Sequence, residues 1–365
     1  MSDFEKYITL GEPEQKEKGQ IWQTAIGLQD VDGLKPSDYL IESARQNIEG
    51  DITIEEVKYR IENYYKQKPV KNPNDRTEEA DKVSAHIAEI LSEKTFTFSP
   101  VEYINIHKRL FEGIYKFAGK IRDYNISKAE WVLNGESVLY ASTHNIRATL
   151  DYDFSQEKAF SYKGISILDT IRHIMTFVSG LWQIHPFGEG NTRTTAVFTI
   201  KYLRKFGFDV ANDMFAQNSW YFRNALVRAN YNDLKNNIHA TTEYLEYFFR
   251  NLLLNETNIL KNRELLVGVT NTNRHSLSVK EQTAQYLKSK PCTLNCTLEE
   301  QFVLEFLENN PTATQKEIAA YIRKSERTVK TITINLQQKK LLERRNGKRN
   351  GYWFVINNNL NYEII

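Results

Sequence analysis

Residues 185–196 read HPFGEGNTRTTA and place a proton acceptor, a carboxylate and a cation in one short segment, which we call the motif segment. An apolar run, 171–184, precedes it, and a second run with helical spacing, 196–208, follows it. Pro186 cannot extend the first helix, and Gly190 permits a turn that other residues resist. The pattern predicts two helices joined by a tight loop, with backbone N–H groups directed outward where the second helix begins. Such a helix terminus binds anions.

Three side chains of the motif segment have complementary chemistry for handling phosphate. His185 can accept a proton near neutral pH, and Glu189 can ligate a hard cation such as Mg²⁺. Arg193 can bind phosphate oxygens through two parallel hydrogen bonds. This combination suits the transfer of a group from a nucleotide.

The motif segment resembles the signature of the Fic family, written H-x-F-x-(D/E)-G-N-G-R-x-x-R. Six of the eight specified positions match: His185, Phe187, Glu189, Gly190, Asn191 and Arg193. The resemblance implies that His185 is the general base that activates a target hydroxyl and that Glu189 holds Mg²⁺ on the phosphates of ATP. The nucleotide-binding residues that it implies are Gly190, Asn191, Thr192 and Arg193.

Two positions depart from that signature. Thr192 occupies the position of the glycine that follows asparagine in the family signature. Its Cβ leaves less room for the α-phosphate at the binding position that the resemblance implies. Ala196 replaces the final arginine, the cation that holds the γ-phosphate in AMP-transferring members. The related Doc branch also lacks that arginine and transfers phosphate.

The resemblance therefore implies a protein adenylyltransferase that moves AMP from ATP to a Ser, Thr or Tyr hydroxyl of a target protein. A Doc-like protein phosphotransferase is the first alternative. A catalytically degraded, nucleotide-sensing regulator that binds DNA is the second.

A further segment resembles the Fic family on the N-terminal side. Residues 104–125 read INIHKRLFEGIYKFAGKIRDYN and resemble the part of Fic proteins that joins a helix to an A-G-x-x-R turn. Residues 126–140, the flap segment, alternate polar and apolar residues around Asn134 and Gly135, which predicts a β-hairpin with a type I′ turn. In Fic proteins this hairpin docks the target by strand addition. The docking residues implied here are Trp131, Val132 and Leu133. An ordinary surface hairpin is the alternative.

The N-terminal segment predicts a pair of helices. Residues 39–48 form the first helix, which ends at Glu49, and Thr53 with Glu56 forms a capping box for the second. The pair resembles the inhibitory module of Fic proteins, whose (S/T)-x-x-x-E-(G/N) pattern places a glutamate against the γ-phosphate position. Glu49 matches that glutamate, whereas Arg45 replaces the hydroxyl residue. Glu49 is therefore the inhibitory candidate, and a solvated acid at a helix end, paired with Arg45, is the alternative.

The C-terminal segment predicts a second activity. Thr314 and Ser325 cap two helices, and a basic loop, 344–351, precedes a strand. Between Thr314 and Val355 there are eleven Lys or Arg and three Glu, a local charge of +8 against +2 for the whole chain. The arrangement resembles a winged helix-turn-helix domain, which implies duplex DNA as a partner. The DNA-binding candidates are Arg327, Lys330, Arg345, Lys348 and Arg349. A protein-interaction module is the alternative.

Composition indicates a globular protein with several domains. Apolar residues make up 41% and charged residues 26% of the 365-residue chain, and a net charge of +2 identifies no partner. The sequence predicts no membrane span and no export signal, and so a cytoplasmic protein. Cys292 and Cys296 are too few to form a zinc site.

Helical periodicity dominates, so the predicted fold is mainly α: a Fic-type helical bundle with a β-hairpin flap and a winged helix domain. The predicted domains are a helical, inhibitory-like module at 1–75, a catalytic domain at 76–262, a linker at 263–297 and a winged helix-turn-helix domain at 298–365.

Overall fold

A computed structural model describes most of the chain. The described residues are 4–69, 72, 75–208, 210, 213–268, 298–322, 324–345 and 351–356. The mainly α class is confirmed, because helices account for nearly all of the regular structure in these residues. The two cysteines, Cys292 and Cys296, lie outside the described residues.

Eleven α-helices occupy the described part of the chain up to residue 268. They are α1 (Glu5–Leu10), α2 (Pro13–Gly27), α3 (Asp38–Glu49), α4 (Ile54–Gln67), α5 (Thr77–Ser92), α6 (Pro100–Phe111), α7 (Ile146–Ala159), α8 (Ile167–Ile184), α9 (Asn191–Lys205), α10 (Asp213–Ala229) and α11 (Glu243–Leu254). Short 3₁₀ turns are formed by Leu28–Asp32, Trp131–Leu133, Leu234–Asn236 and Asn262–Leu265.

Helices α8 and α9 are the centre of the bundle. Helix α9 is buried along its entire length from Asn191 to Leu203, so other elements cover all of its faces. Helix α8 begins at the side-chain cap of Ser166, whose hydroxyl accepts from the Asp169 N–H at 3.1 Å. The two predicted helices around the motif segment are present, and the loop between them is held on both sides by buried helices.

The N-terminal helices pack into the same core as the helices that follow them. One continuous cluster of buried side chains includes Phe4 in the N-terminal segment and Val267 beyond α11. The boundary predicted at residues 75 and 76 therefore runs through a shared core. The predicted linker starts later than residue 263, because Leu265 and Val267 are buried and the Val267 N–H donates to the Val132 carbonyl at 2.9 Å.

The flap segment has the predicted turn but none of the predicted strands. Asn134 and Gly135 both have positive φ, 56° and 94°, as a type I′ turn requires. The preceding Trp131–Leu133 turn is 3₁₀, and no strand is assigned in this fully described segment. The reason is that Val132 and Leu133 are both buried, whereas consecutive strand residues point to opposite faces. The hairpin strands predicted here are wrong.

The C-terminal described residues form three helices and a small sheet with a separate core. The elements are α12 (Leu298–Asn309), α13 (Gln315–Ile322), α14 (Glu326–Gln338), β1 (Leu342–Arg345) and β2 (Tyr352–Val355). The strands are antiparallel, and Leu342 is opposite Val355. Val329 and Leu336 of α14 are buried in the core, as their spacing predicts. The Asn255 side chain donates to the Tyr321 carbonyl at 2.9 Å, which joins the C-terminal elements to the end of α11.

Within the described ranges, the helices are all too short or too polar to cross a lipid bilayer.

Candidate active site

His185 ends α8 in a left-handed backbone conformation, with φ 50° and ψ 58°. This conformation is uncommon for a residue with a side chain, so neighbouring groups must hold it. Arg122 does so from the A-G-x-x-R turn, because its Nε donates to the His185 carbonyl at 2.8 Å and its backbone N–H donates to the Pro186 carbonyl at 2.9 Å. The other guanidinium nitrogens of Arg122 donate to the carbonyls of Tyr124 and Ala141.

The hydrogen bonds of His185 define which ring nitrogen can act as a base. Its Nδ1 lies 3.3 Å from the Trp182 carbonyl, which can only accept, so Nδ1 carries the proton. Nε2 then has a lone pair, and it has no hydrogen-bond partner among the described residues. Burial lowers the pKa of His185 well below its usual range, and the charge of Lys128 lowers it further. The imidazole is therefore neutral and ready to accept a proton.

Asn191 closes the loop between α8 and α9. Its Oδ1 accepts from the Phe187 N–H at 3.0 Å, and its Nδ2 donates to the Phe187 carbonyl at 2.8 Å. The side chain is therefore fully engaged with the backbone. Of this residue, which was predicted to bind nucleotide, only the backbone N–H can face a phosphate.

His107 supports the same loop from α6. Its Nδ1 accepts from the Gly119 N–H at 2.9 Å, so Nε2 carries the proton and donates to the Glu189 carbonyl at 3.0 Å. Its ring stacks on Phe187 with centroids 3.6 Å apart. Burial lowers the pKa of His107 to about 4, which keeps the ring neutral and preserves this donor and acceptor pattern.

Gly190 is required by both its conformation and its surroundings. Its φ is +78°, and a Cβ added there would meet the Phe111 ring at 2.3 Å. The first helical hydrogen bond of α9 runs from the Thr194 N–H to the Gly190 carbonyl at 3.0 Å. The backbone N–H groups of residues 191–193 precede that bond, as they do at any helix N-terminus, and anion binding by them stays a prediction.

Glu189 is the carboxylate at this terminus. Its side chain is 36% exposed, and both of its oxygens lie 3.3 Å from the Lys128 Nζ. One carboxylate, together with phosphates and water, is an ordinary set of ligands for Mg²⁺ in proteins. The position and chemistry of Glu189 therefore fit an ion that is bound together with a nucleotide.

Thr192 and Arg193 differ from the prediction that their side chains bind phosphates. The Thr192 hydroxyl accepts from the Trp182 indole N–H at 2.9 Å, so the side chain turns toward α8. The Arg193 side chain is fully buried and pairs with Asp32 at 2.8 Å and Glu79 at 2.7 Å. Two carboxylates compensate its charge, so the Arg193 side chain is part of the buried core in this structure.

Asp32 and Glu79 are site residues that the sequence analysis missed. Asp32 belongs to the Leu28–Asp32 turn, where Gln29 also accepts from the Arg193 guanidinium at 3.0 Å. Glu79 lies in the first turn of α5, where an acidic residue is expected for reasons unrelated to any site. The sequence contains no local signal for these contacts, because they depend on how the N-terminal helices pack against α9.

Glu49 contacts α1. The Tyr7 hydroxyl donates to its carboxylate, and the Lys6 Nζ lies 3.8 Å away. Arg45, the local partner suggested for Glu49, pairs with Glu42 at 3.3 Å. The carboxylates that contact the motif arginine come from other N-terminal residues, and an inhibitory role for Glu49 stays a prediction.

The docking residues predicted in the flap segment divide into two groups. Trp131 is 47% exposed, whereas Val132 and Leu133 are buried and cannot contact a docked target. The same segment contributes Tyr140, whose ring lies 4.2 Å from the His185 ring and whose hydroxyl donates to Glu130 at 3.1 Å. The flap segment thus helps to hold His185.

Three of the five DNA-binding candidates, Arg327, Lys330 and Arg345, lie among the described residues. Arg327 and Lys330 of α14 are exposed. Arg345 pairs with Glu343 at 2.9 Å and lies over the Phe354 ring. Lys348 and Arg349 fall outside the described residues.

The fold and the site define a mainly helical protein in which a buried histidine, a carboxylate and the N-terminus of a buried helix lie in one loop. Residues 97–203 match the model of the Fic/DOC family, and they form a Fic/DOC family domain. The chain is also similar to the crystal structure, at 2.70 Å resolution, of a Fic family protein from Desulfovibrio desulfuricans G20. The two are 11% identical with a TM-score of 0.44, over 97% of this chain and 92% of the other.

Proposed function

We propose that this protein is an adenylyltransferase that transfers AMP from ATP to a hydroxyl side chain of a target protein. The observation that carries the proposal is the His185 Nε2, a buried acceptor without a partner among the described residues, in the loop that leads into α9. The match of residues 97–203 to the Fic/DOC family supports the same chemistry. A hydroxyl and a nucleotide would be the two reactants at this loop.

The proposed reaction requires a group that accepts the proton of the target hydroxyl and a site that binds the phosphates of ATP. The target hydroxyl oxygen attacks the α-phosphorus of ATP while its proton moves to the His185 Nε2. The bond between the α-phosphorus and the oxygen bridging to the β-phosphate breaks, and pyrophosphate leaves with that electron pair. Backbone N–H groups at the start of α9 hold the phosphates. Bound Mg²⁺, held by Glu189, supplies positive charge that stabilises the leaving group.

Glu189→Gln is expected to weaken the binding of ATP in the presence of Mg²⁺ and to remove most of the Mg²⁺ dependence of transfer. The reason is that the amide keeps the shape of Glu189 but lacks the charge that a hard cation needs. Calorimetric titration of ATP with and without Mg²⁺ measures the effect, and Glu17→Gln on the exposed side of α2 is the matched control. Unchanged Mg²⁺-ATP affinity and rate in Glu189→Gln would assign the ion to another carboxylate.

Phosphoryl transfer is the second candidate. In the motif segment, the side chains that would bind the triphosphate in the orientation for AMP transfer either contact other residues or are absent. Ala196 is buried and carries no charge, and the guanidinium of Arg193 is paired with carboxylates. Reversing the triphosphate would bring its γ-phosphorus to the attacking hydroxyl. ADP would then be the leaving group.

Binding of duplex DNA by the C-terminal elements is proposed as a second activity. The exposure of Arg327 and Lys330 on one helix and the excess of eleven basic over three acidic residues support it. If transfer proves absent, nucleotide binding combined with DNA binding would favour the regulator hypothesis.

The affinity of the full chain for duplex DNA is expected to fall as salt rises, with a slope of about −0.9 in log affinity against log salt for each phosphate contact. The triple variant Arg345→Ala, Lys348→Ala, Arg349→Ala should flatten the slope by roughly two to three units if each residue meets a phosphate. Fluorescence anisotropy at several salt concentrations measures the slope, and Lys163→Ala, far along the chain, is the control. No retention of random-sequence duplexes at low salt would favour the protein-interaction alternative.

A further inference from the structure

The motif segment itself presents little side-chain charge to a nucleotide. Arg193 is fully buried between Asp32 and Glu79, and residue 196 is an alanine. Hydrogen bonds from a cationic side chain to phosphate oxygens are about twice as strong as those from neutral donors. A cationic side chain that binds the phosphates would have to come from an element outside the motif segment.

Lys128 is a cation that the flap segment brings to this loop. Its Nζ lies 3.3 Å from each oxygen of Glu189, and its side chain is 26% exposed. The Lys128 N–H donates to the Ser137 hydroxyl at 3.0 Å, which anchors the backbone within the flap segment. The ammonium group therefore lies at the carboxylate that is proposed to hold Mg²⁺, and solvent can reach it.

The charge of Lys128 also acts on His185. It is the largest contribution after burial to the lowered pKa of that histidine. Lys128 thus acts on both groups that the proposed reaction uses, because it contacts the Glu189 carboxylate and its charge lowers the pKa of His185.

We infer that Lys128 binds the phosphates of the nucleotide and replaces the cation that is absent at residue 196. When Glu189 ligates Mg²⁺ with the nucleotide, the ammonium group loses its carboxylate partner and gains phosphate oxygens on the same side of the loop. The lysine side chain can make this change because it carries a compact charge on a flexible stem. This inference rests on the proposed function, since it requires a nucleotide at the motif segment.

The opposite interpretation treats Lys128 only as the counter-ion of Glu189. The two interpretations predict effects of opposite sign. Without Lys128, a simple counter-ion pair would leave Glu189 free, and Mg²⁺-ATP would bind equally well or more tightly. A phosphate ligand, when removed, weakens ATP binding whether or not Mg²⁺ is present.

The test is a titration of the full chain with ATP and with adenosine, each with Mg²⁺ and with a chelator. Lys128→Met is expected to raise the Kd for ATP by about 10- to 100-fold, as the loss of a hydrogen bond between charged groups does, and to leave adenosine unchanged. Lys128→Arg should retain most of the affinity, because it keeps the charge. Lys163→Met, an exposed lysine between α7 and α8, is the matched control. Thermal melts establish that each variant is folded.

A double variant sharpens the test. With the chelator present, Glu189→Gln should increase the affinity for ATP, because Lys128 loses its carboxylate partner. This increase in affinity should be smaller when Lys128→Met is also present. An unchanged or lower Kd for Mg²⁺-ATP in Lys128→Met would contradict the role of Lys128 but not the proposed function. The same holds if Glu189→Gln increases ATP affinity equally with and without Lys128→Met. No ATP binding by the unmodified chain overturns the proposed function and this inference together.

Discussion

His185→Ala abolishes measurable transfer while ATP binding stays within a few-fold of the unmodified protein. The expected loss is about 10²- to 10⁴-fold in rate, because a general base contributes to the transition state and little to ground-state binding. The structure gives the physical reason. Nδ1 is committed to the Trp182 carbonyl, so Nε2 is the acceptor that the target hydroxyl requires.

Initial rates of label transfer from ATP, together with a separate ATP titration, measure the two halves of this prediction. His239→Ala, an exposed histidine outside the motif segment, is the matched control. The rate should also persist as pH falls through the usual pKa of histidine near 6.5, because burial lowers the pKa of His185 and keeps it unprotonated. Full activity in His185→Ala would exclude the imidazole as the base.

Arg193→Met is expected to lower the free energy of unfolding by about 3–5 kcal/mol, the usual cost of removing one partner from a buried ion pair. Arg193 is fully buried, and its loss removes the cation that pairs with Asp32 and one of the two arginines that pair with Glu79, which keeps Arg76 at 2.7 Å. Methionine fills a similar volume, so the change is mainly electrostatic. A loss of this size would show that the ion pairs of Arg193 with Asp32 and Glu79 stabilise the fold.

Chemical denaturation followed by circular dichroism measures this change. Arg147→Met, an exposed arginine on α7, is the control for loss of a guanidinium at the surface. If Arg193 instead binds the nucleotide phosphates, as the resemblance implies, Arg193→Met should be as stable as the unmodified protein and should bind ATP weakly. That result would show that Arg193 leaves its carboxylates to bind phosphates.

Much of the helical framework could be predicted from local sequence. The caps at Thr53 and Ser325 accept the predicted backbone hydrogen bonds, and Gly50 ends α3 with a φ of 87°. The turn around the motif segment also follows from local rules, since Gly190 has positive φ. These features depend on residues close in sequence, whose backbone geometry and capping chemistry are short-range.

The environment of the site was less predictable, because it depends on contacts between distant segments. The motif suggests that Arg193 is available to a ligand, but its charge is compensated by Asp32 and Glu79 from the N-terminal helices. The flap segment shows the same limitation. Its alternation favours strands, but Val132 and Leu133 are both buried and belong to a 3₁₀ turn.

Adenylyl transfer and phosphoryl transfer differ in which phosphate of ATP becomes attached to a protein hydroxyl. The most direct test incubates the full chain, Mg²⁺ and a cell extract as the source of targets with ATP labelled at either the α- or the γ-phosphate. With the unmodified chain, we expect label from the α-phosphate to become attached to protein hydroxyls, and with His185→Ala we expect no transfer. Transfer of the γ-label alone, or of neither label while ATP still binds, would contradict adenylyl transfer.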